Sequence, residues 1–314
     1  MQQLTSLFSE LIVLYLIAAV GYLAKRTGAF DRQADHTLTR LVLYITLPAL
    51  ILYSLNSPFR FSLAKNLVIL IFLSAYALGA ATLKAHFYLK ENALPSPRQG
   101  IQQGLIIFGN QGFLGFAVCQ ALFAKEGIMY AAIFNILYLT LIWTYGIYII
   151  ARNTTSFRWK MIVLNPGTVA TLLGLLIFFL PWDLPNFFNK LLLSLGSPTP
   201  PLSMLLIGSF MADLATQKVW EIAKDKHLWQ AVFIKLVLLP LLIIPFAFFG
   251  IDYKVLAIGV LLTAMPSAPT ISLYAKKYGG DVSYASLGVF ISTLLLPVTL
   301  PVLYWLLNMI YSLM

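Results

Sequence analysis

A chain of 314 residues with 60% hydrophobic and only 10% charged residues stands far from soluble domains, which average about 45–50% and about 25%. Its formal charge of +10, from 21 Lys plus Arg against 11 Asp plus Glu, is spread thinly between long apolar runs. That pattern excludes a soluble enzyme, a disordered tail protein and a nucleic-acid partner, and a span needs about 20 mostly apolar residues, so the chain reads as an all-α integral membrane protein in contact with the lipid bilayer.

Apolar runs bounded by charges, Pro and Gly place spans near 7–24, 41–56, 66–83, 101–123 and 129–150, then near 166–181, 198–214, 229–249, 254–275 and 283–308. No basic residue precedes Lys25, so the first run reads as a retained span and not a signal peptide. The last run is expected to bend at Pro297 and Pro301. One set of connections carries 15 basic residues, from Lys25, Arg26, Arg32 and Arg40 through Arg98 and Arg152 to Lys276 and Lys277, and the other set carries 5. Cytoplasmic loops retain positive charge, so both termini are expected outside the cytoplasm, with the protein in the cell membrane. The single cysteine, Cys119, sits among apolar neighbours and is expected to be a packing residue.

Landmarks recur between the halves. Leu47-Pro48-Ala49-Leu50 answers Pro200-Pro201-Leu202-Ser203, Ala124-Lys125 answers Ala275-Lys276, and Tyr130-Ala131 answers Tyr284-Ala285, all at offsets near 150 residues. Five spans is an odd number, so copies spanning 1–154 and 155–314 must be inverted, an architecture of transporters whose site lies where broken helices of the two copies meet. A matched pair of breaks is present. Span 4 carries Gly109-Asn110-Gln111-Gly112-Phe113-Leu114-Gly115, and span 9 carries Met265-Pro266-Ser267-Ala268-Pro269-Thr270. Gly and Pro both weaken helices, and unwound backbone inside a membrane must be buried in protein or line a cavity. Gly112, Gly115, Pro266 and Pro269 are therefore expected to shape the break. Free N–H groups near Gly112 and Ala268 are expected to face an anion, a carboxylate by preference.

Asn110 and Gln111 both donate and accept hydrogen bonds and are the leading substrate contacts, with Ser267 and Thr270 beside the prolines. The hydroxyls have an alternative role in bonding a preceding helix carbonyl. Asn135 and Thr293 are candidates for the same site or for interhelical hydrogen bonds. Glu10 and Asp213 fall near span ends, and an ion-coupling role is open for each. Lys235, about two turns into span 8, reads as a snorkelling or structural lysine ahead of an anion contact. His36, His86 and His227 fall in or beside basic loops and read as solvated or interfacial.

The run Gly109–Phe116, Asn165-Pro166, Pro201-Leu202 and Met265-Pro266-Ser267-Ala268 followed by Ala275-Lys276-Lys277-Tyr278 resemble the auxin efflux carrier family, which includes the plant PIN carriers and bacterial permeases assigned to malate or malonate. The resemblance covers essentially the whole chain. It implies ten helices in two inverted repeats with crossing helices 4 and 9, a layout similar to sodium/proton antiporters and bile-acid symporters. It further implies a scaffold of spans 1, 2, 6 and 7, a moving part of spans 3–5 and 8–10, elevator-like transport, and a homodimer through spans 2 and 7. Two departures stand out: members often carry Pro at the place of Ala117, and plant carriers have Pro near Ile271. The long loop of many plant members is absent, since only Arg152 to Leu164 joins the halves.

The chain lacks paired acids for metal-diphosphate chemistry, a His-Glu-x-x-His motif, or a Ser with a partner base, so no enzyme, cofactor or metal is expected. Its mid-span polar residues gather at one depth, unlike a continuous channel pore. The expected function is secondary transport of small organic anions, malate or auxin-like acids, with H+ or Na+ as possible coupling ions. The rival is a sodium- or proton-coupled carrier of another solute class, such as a bile-acid-like or neutral amino-acid transporter.

Overall fold

The computed structural model describes residues 2–56, 64–152, 164, 166–179, 184–212 and 216–313. Helix α1 is Gln2–Arg26. Helix α2, Arg32–Leu41, starts where the Asp31 side chain accepts from the Ala34 N–H at 2.6 Å, which supplies one of the partners that a helix start lacks. It runs through a π turn, Val42–Thr46, into α3, Leu47–Leu55, with Pro48 in the first turn of α3, where a missing N–H is tolerated. Helix α4, Ala64–Glu91, is followed by α5, Ser96–Ile107, by an interruption, and by a π segment Gln111–Gly115 that opens into α6, Phe116–Trp143. Helix α7, Tyr145–Ala151, closes the first half.

The second half comprises α8 (Pro166–Phe179), α9 (Asn186–Gly196), α10 (Thr199–Ala212), α11 (Thr216–Ala223) and α12 (Lys226–Phe233). Helix α12 continues through a π turn, Ile234–Leu238, and a 3-10 segment, Ile244–Phe249. Helices α13 (Tyr253–Thr263) and α14 (Pro269–Tyr278) flank the second interruption, and α15 (Val282–Leu313) carries Pro297 and Pro301 inside it. Six stretches among the described residues are long and apolar enough to cross a membrane, and Pro166–Phe178 and Tyr253–Thr263 are shorter apolar helices.

Two features depart from the sequence expectation. The run near 198–214 reaches back to Asn186, because Pro185 starts a further helix, α9, that packs on α3. The spans expected at 101–123 and 129–150 share one continuous helical run, α6, yet that run folds back on itself. A Cβ at Gly127 would lie 2.1 Å from the carbonyl oxygen of Cys119, whereas eight residues of straight helix extend about 12 Å. The chain reverses between these residues, and only a residue without a side chain fits the close approach.

Helix α1 lies along α10 with backbones in contact at Gly208, where a Cβ would fall 1.9 Å from the Ala18 oxygen. Small residues permit this in membrane helices. Helices α8 and α9 pack on α3, α4 and α13 pack on α6, α5 packs on α4 and α7, and α14 packs on α15. The connections sort onto two ends. At one, Lys25 pairs with buried Asp35 at 2.6 Å, Asp35 also accepts from Ser209, and Arg98 bridges Asp281 at 2.8 Å and Asp225 at 3.1 Å. At the same end Lys277 lies 4.4 Å over the Tyr44 ring and Lys276 5.7 Å over Phe210. At the other, Lys254 pairs with Glu126 at 2.8 Å, and Asn66 donates to the Tyr130 hydroxyl at 2.9 Å. The loops grouped by their basic residues thus meet one another physically.

Candidate functional site

The two Gly- and Pro-rich interruptions pair with each other. Phe108 leaves α5 in an extended conformation, and Gly109 and Ser267 form an isolated antiparallel β-bridge. The Asn110 N–H donates to the Pro266 oxygen at 2.6 Å, and the Ala268 N–H donates to the Phe108 oxygen at 2.9 Å. Each broken segment thereby satisfies backbone groups that the other leaves free, which is what buried non-helical backbone requires. The Ala268 N–H is consequently not available to an anion, contrary to the expectation from sequence. Pro269 follows with no N–H, so Thr270 carries the first N–H of α14.

Three side chains brace the pairing. The Tyr138 hydroxyl donates to the Gly109 oxygen at 2.6 Å. The Ser267 hydroxyl donates to the Leu105 oxygen at 2.8 Å, and the Ser267 N–H donates to the Ser292 hydroxyl at 3.1 Å. Leu105 is among the last carbonyls of α5, which a helix leaves without partners of its own. Ser267 is therefore a brace of the crossing, and it does not line the cleft described next.

That cleft is walled by Leu47 of α3, Asn110 and Gly112 of the first interruption, Tyr138, Leu139, Ile142 and Trp143 of α6, and Ala268 and Thr270 of the second. Its free space is about 20 Å³, room for about one water molecule. A Cβ at Gly112 would meet nothing within 4 Å, whereas one at Gly115 would lie 2.6 Å from a Leu262 methyl. Gly112 thus leaves backbone open at the cleft, and Gly115 permits close packing of the segment against α13.

The carboxamide oxygens of Asn110, Gln111 and Asn135 are buried without a hydrogen-bond partner among the described residues. Of these residues, Asn110 lines the cleft. Asn135 donates through Nδ2 to the Gln111 backbone oxygen at 3.3 Å, tying α6 to the π segment. Thr293 bonds back to its own helix at the Val289 oxygen, 2.8 Å away; the neighbouring Ser292 is the residue that reaches the crossing. The structure therefore brings Asn110, Thr270 and Gly112 together at the cleft and gives Ser267, Asn135 and Thr293 hydrogen bonds elsewhere. Tyr138, Trp143 and Leu47 are cleft residues that sequence reasoning missed. Aromatic and aliphatic residues in an apolar run carry no signal that separates a site wall from core.

Lys235 does not snorkel. It is buried at 1% exposure, and a Cβ at Gly109 would lie 2.9 Å from its Nζ and 3.1 Å from the Met265 oxygen. It lies within the π turn Ile234–Leu238 and is buried there. None of the ion pairs formed among the described residues includes it. Among the other residues weighed, Cys119 is buried and unpaired, and His36 and His86 are exposed. His227 is half-buried, its ring nitrogen 2.6 Å from the Tyr88 hydroxyl. The side chains of Glu10 and Asp213 lie outside the described residues. No group of three or more His, Cys, Asp or Glu able to hold a metal occurs among the described residues.

A membrane transport protein family model matches residues 6–304. An uncharacterized transporter of Methanothermobacter thermautotrophicus is 28% identical over 298 residues, covering 91% of this chain and 93% of the relative. An uncharacterized transporter of Methanocaldococcus jannaschii is 27% identical over 302 residues, covering 90% and 92%. Auxin efflux carrier component 8 of Arabidopsis thaliana is 30% identical over 148 residues, 45% of this chain and 40% of that carrier.

Proposed function

We infer the cargo and the cycle from one premise: the chain belongs to the membrane transport protein family of the auxin efflux carriers, and the protein is a multi-pass membrane transporter. We propose that it moves small organic anions, carboxylates such as malate or auxin-like acids, by elevator-type alternating access. The observation that carries this reading is the cleft at the paired interruptions. There Asn110 lines the cleft, Gly112 exposes backbone, and two helical segments begin. Helix starts present unpaired N–H groups and a positive partial charge, which favour a carboxylate. The Asn110 carboxamide, its NH2 included, supplies the directional contact, with Thr270 and Gln111 beside it, while Ser267, Asn135 and Thr293 hold the surrounding frame.

The fold enters the proposal as ten crossings in two inverted five-helix repeats, 1–154 and 155–314, with both termini outside the cytoplasm and a homodimer through spans 2 and 7. Spans 1, 2, 6 and 7 form the scaffold and spans 3–5 with 8–10 move. The packing of α8 and α9 on α3, and of α4 and α13 on α6, supports this division. So does the size of the cleft: about 20 Å³ is far below the 300 Å³ or more of a typical ligand pocket. Loading therefore requires Leu47, on the scaffold side, to separate from the crossing.

Counterflow in proteoliposomes tests the reading. Vesicles preloaded with unlabelled malate or indole-3-acetate are expected to accumulate the labelled anion, in choline as in sodium buffer, and Asn110→Ala is expected to abolish accumulation. Accumulation of a neutral amino acid or bile acid in place of either carboxylate would transfer the assignment to the cation-coupled rival, whereas accumulation of the carboxylate only in sodium would keep the cargo and make sodium its coupling ion.

A further inference from the structure

Lys235 is a basic side chain buried at the centre of the machinery, and it takes part in none of the ion pairs formed among the described residues. Its side-chain nitrogen occupies the space that any side chain at Gly109 would take, 2.9 Å from where that Cβ would lie, and the Met265 oxygen of the second interruption lies 3.1 Å from the same point. A buried charge without a partner is expensive in protein and in membrane, and an apolar residue of the same volume would fill the site without that cost. Such a residue at membrane depth marks a functional position. Gly109 is followed directly by Asn110, the cleft residue, so the ammonium and an anion at Asn110 lie on opposite sides of one strand of backbone, on the order of 10 Å apart. At that separation in a low-dielectric interior the attraction is not screened by salt.

We propose that Lys235 is the resident charge of the moving part: an ammonium tethered to the crossing, travelling with it and neutralising one negative charge of the bound anion. This rests on the organic-anion reading above. The charge carried in each half-cycle then follows. The empty crossing carries one positive charge, the crossing loaded with a monocarboxylate carries none, and the crossing loaded with a dicarboxylate carries one negative charge. The tethered charge returns in every cycle, so the net charge per anion is unchanged. What Lys235 sets is which step the membrane potential acts upon.

The experiment is homo-exchange of labelled for unlabelled anion, which uses only the loaded step, at potentials clamped with potassium and valinomycin. Indole-3-acetate and malate are the probes. Wild-type exchange of indole-3-acetate is expected to be indifferent to voltage, and exchange of malate to change about sevenfold per 100 mV, the effect of one charge meeting a barrier halfway through the field. In Lys235→Met, indole-3-acetate exchange acquires the sevenfold dependence and malate exchange becomes steeper; Lys235→Arg restores the wild-type pattern. A lysine that only fills space would alter rates and leave these voltage dependences unmoved.

Voltage-sensitive exchange of indole-3-acetate in the wild type, or the same dependence in wild type and Lys235→Met, overturns the proposal. Should Lys235→Met not fold, the wild-type comparison of the two anions decides alone. If only one of them is carried, the wild type's absolute dependence on that anion decides in the same way. Absence of wild-type exchange with either anion overturns the carboxylate assignment itself, and is distinguishable because it appears before any variant is made.

Discussion

Ser267 and Asn110 sit one on each side of the same pairing, and truncating each should produce opposite phenotypes. The Ser267 hydroxyl donates at 2.8 Å to the Leu105 oxygen in a position 1% exposed. Ser267→Ala removes that bond and leaves a helix-end carbonyl unpaired where water cannot replace the donor. The expected loss is about 1–3 kcal/mol of stability, with the backbone bonds of the crossing retained. Asn110 presents the reverse case. Its carboxamide oxygen has no partner to lose, and its backbone bonds to Pro266 and Gly115 survive in Asn110→Ala, so stability should change by less than about 1 kcal/mol. Melting midpoints of the purified variants, read beside counterflow at several anion concentrations, separate the two. Ser267→Ala should melt lower with a near-normal half-saturation concentration, and Asn110→Ala should melt normally and not transport. A Ser267→Ala protein of wild-type stability with a half-saturation raised tenfold would mean that the hydroxyl touches the cargo, and the division between brace and contact would be wrong.

Leu47→Trp should abolish transport while preserving the fold, because the indole would enter a cleft with only about 20 Å³ to spare; size-exclusion profiles together with counterflow check both halves. Gly127→Ala places a Cβ 2.1 Å from the Cys119 backbone oxygen and should lower stability by more than about 2 kcal/mol. Gly79→Ala, where nothing lies within 4 Å, should not destabilise, so similar melting of the two would contradict the fold-back at Gly127. Arg98→Ala separates the helices that Asp225 and Asp281 begin. At partial exposure it should cost about 1–2 kcal/mol in low salt and less in high salt, and a deficit that does not respond to salt would assign Arg98 a packing role over Tyr284 instead.

The interruptions were legible because their chemistry is local. Gly109 to Gly115 and Pro266 to Pro269 break a helix wherever they are placed in the chain, so their position needed no knowledge of packing. How the breaks are satisfied was not legible. That Ala268 gives its N–H to Phe108 depends on a strand more than 150 residues away, and no local pattern encodes it. The same limit explains Ser292 and Thr293: both hydroxyls sit in one apolar run, and a rotation of about 100° around α15 decides which meets Ser267. Lys235 reads as a snorkelling residue from its distance to the span end, because which way a side chain turns on a span depends on packing that no local pattern encodes. The reversal at Gly127 has no local signal of its own, since the helical run Phe116–Trp143 continues through it. Helix α9 escaped because Asn186–Gly196 is too short and too polar at its start to count as a span by itself.

The central claim, that an organic anion binds at Asn110 between the paired interruptions, is tested most directly by the charge displaced when reconstituted protein meets a jump in malate concentration. The account predicts a transient current in the wild type that saturates with malate and is lost in Asn110→Ala at equal amounts of folded protein. An undiminished, saturating current in Asn110→Ala would place the anion somewhere else.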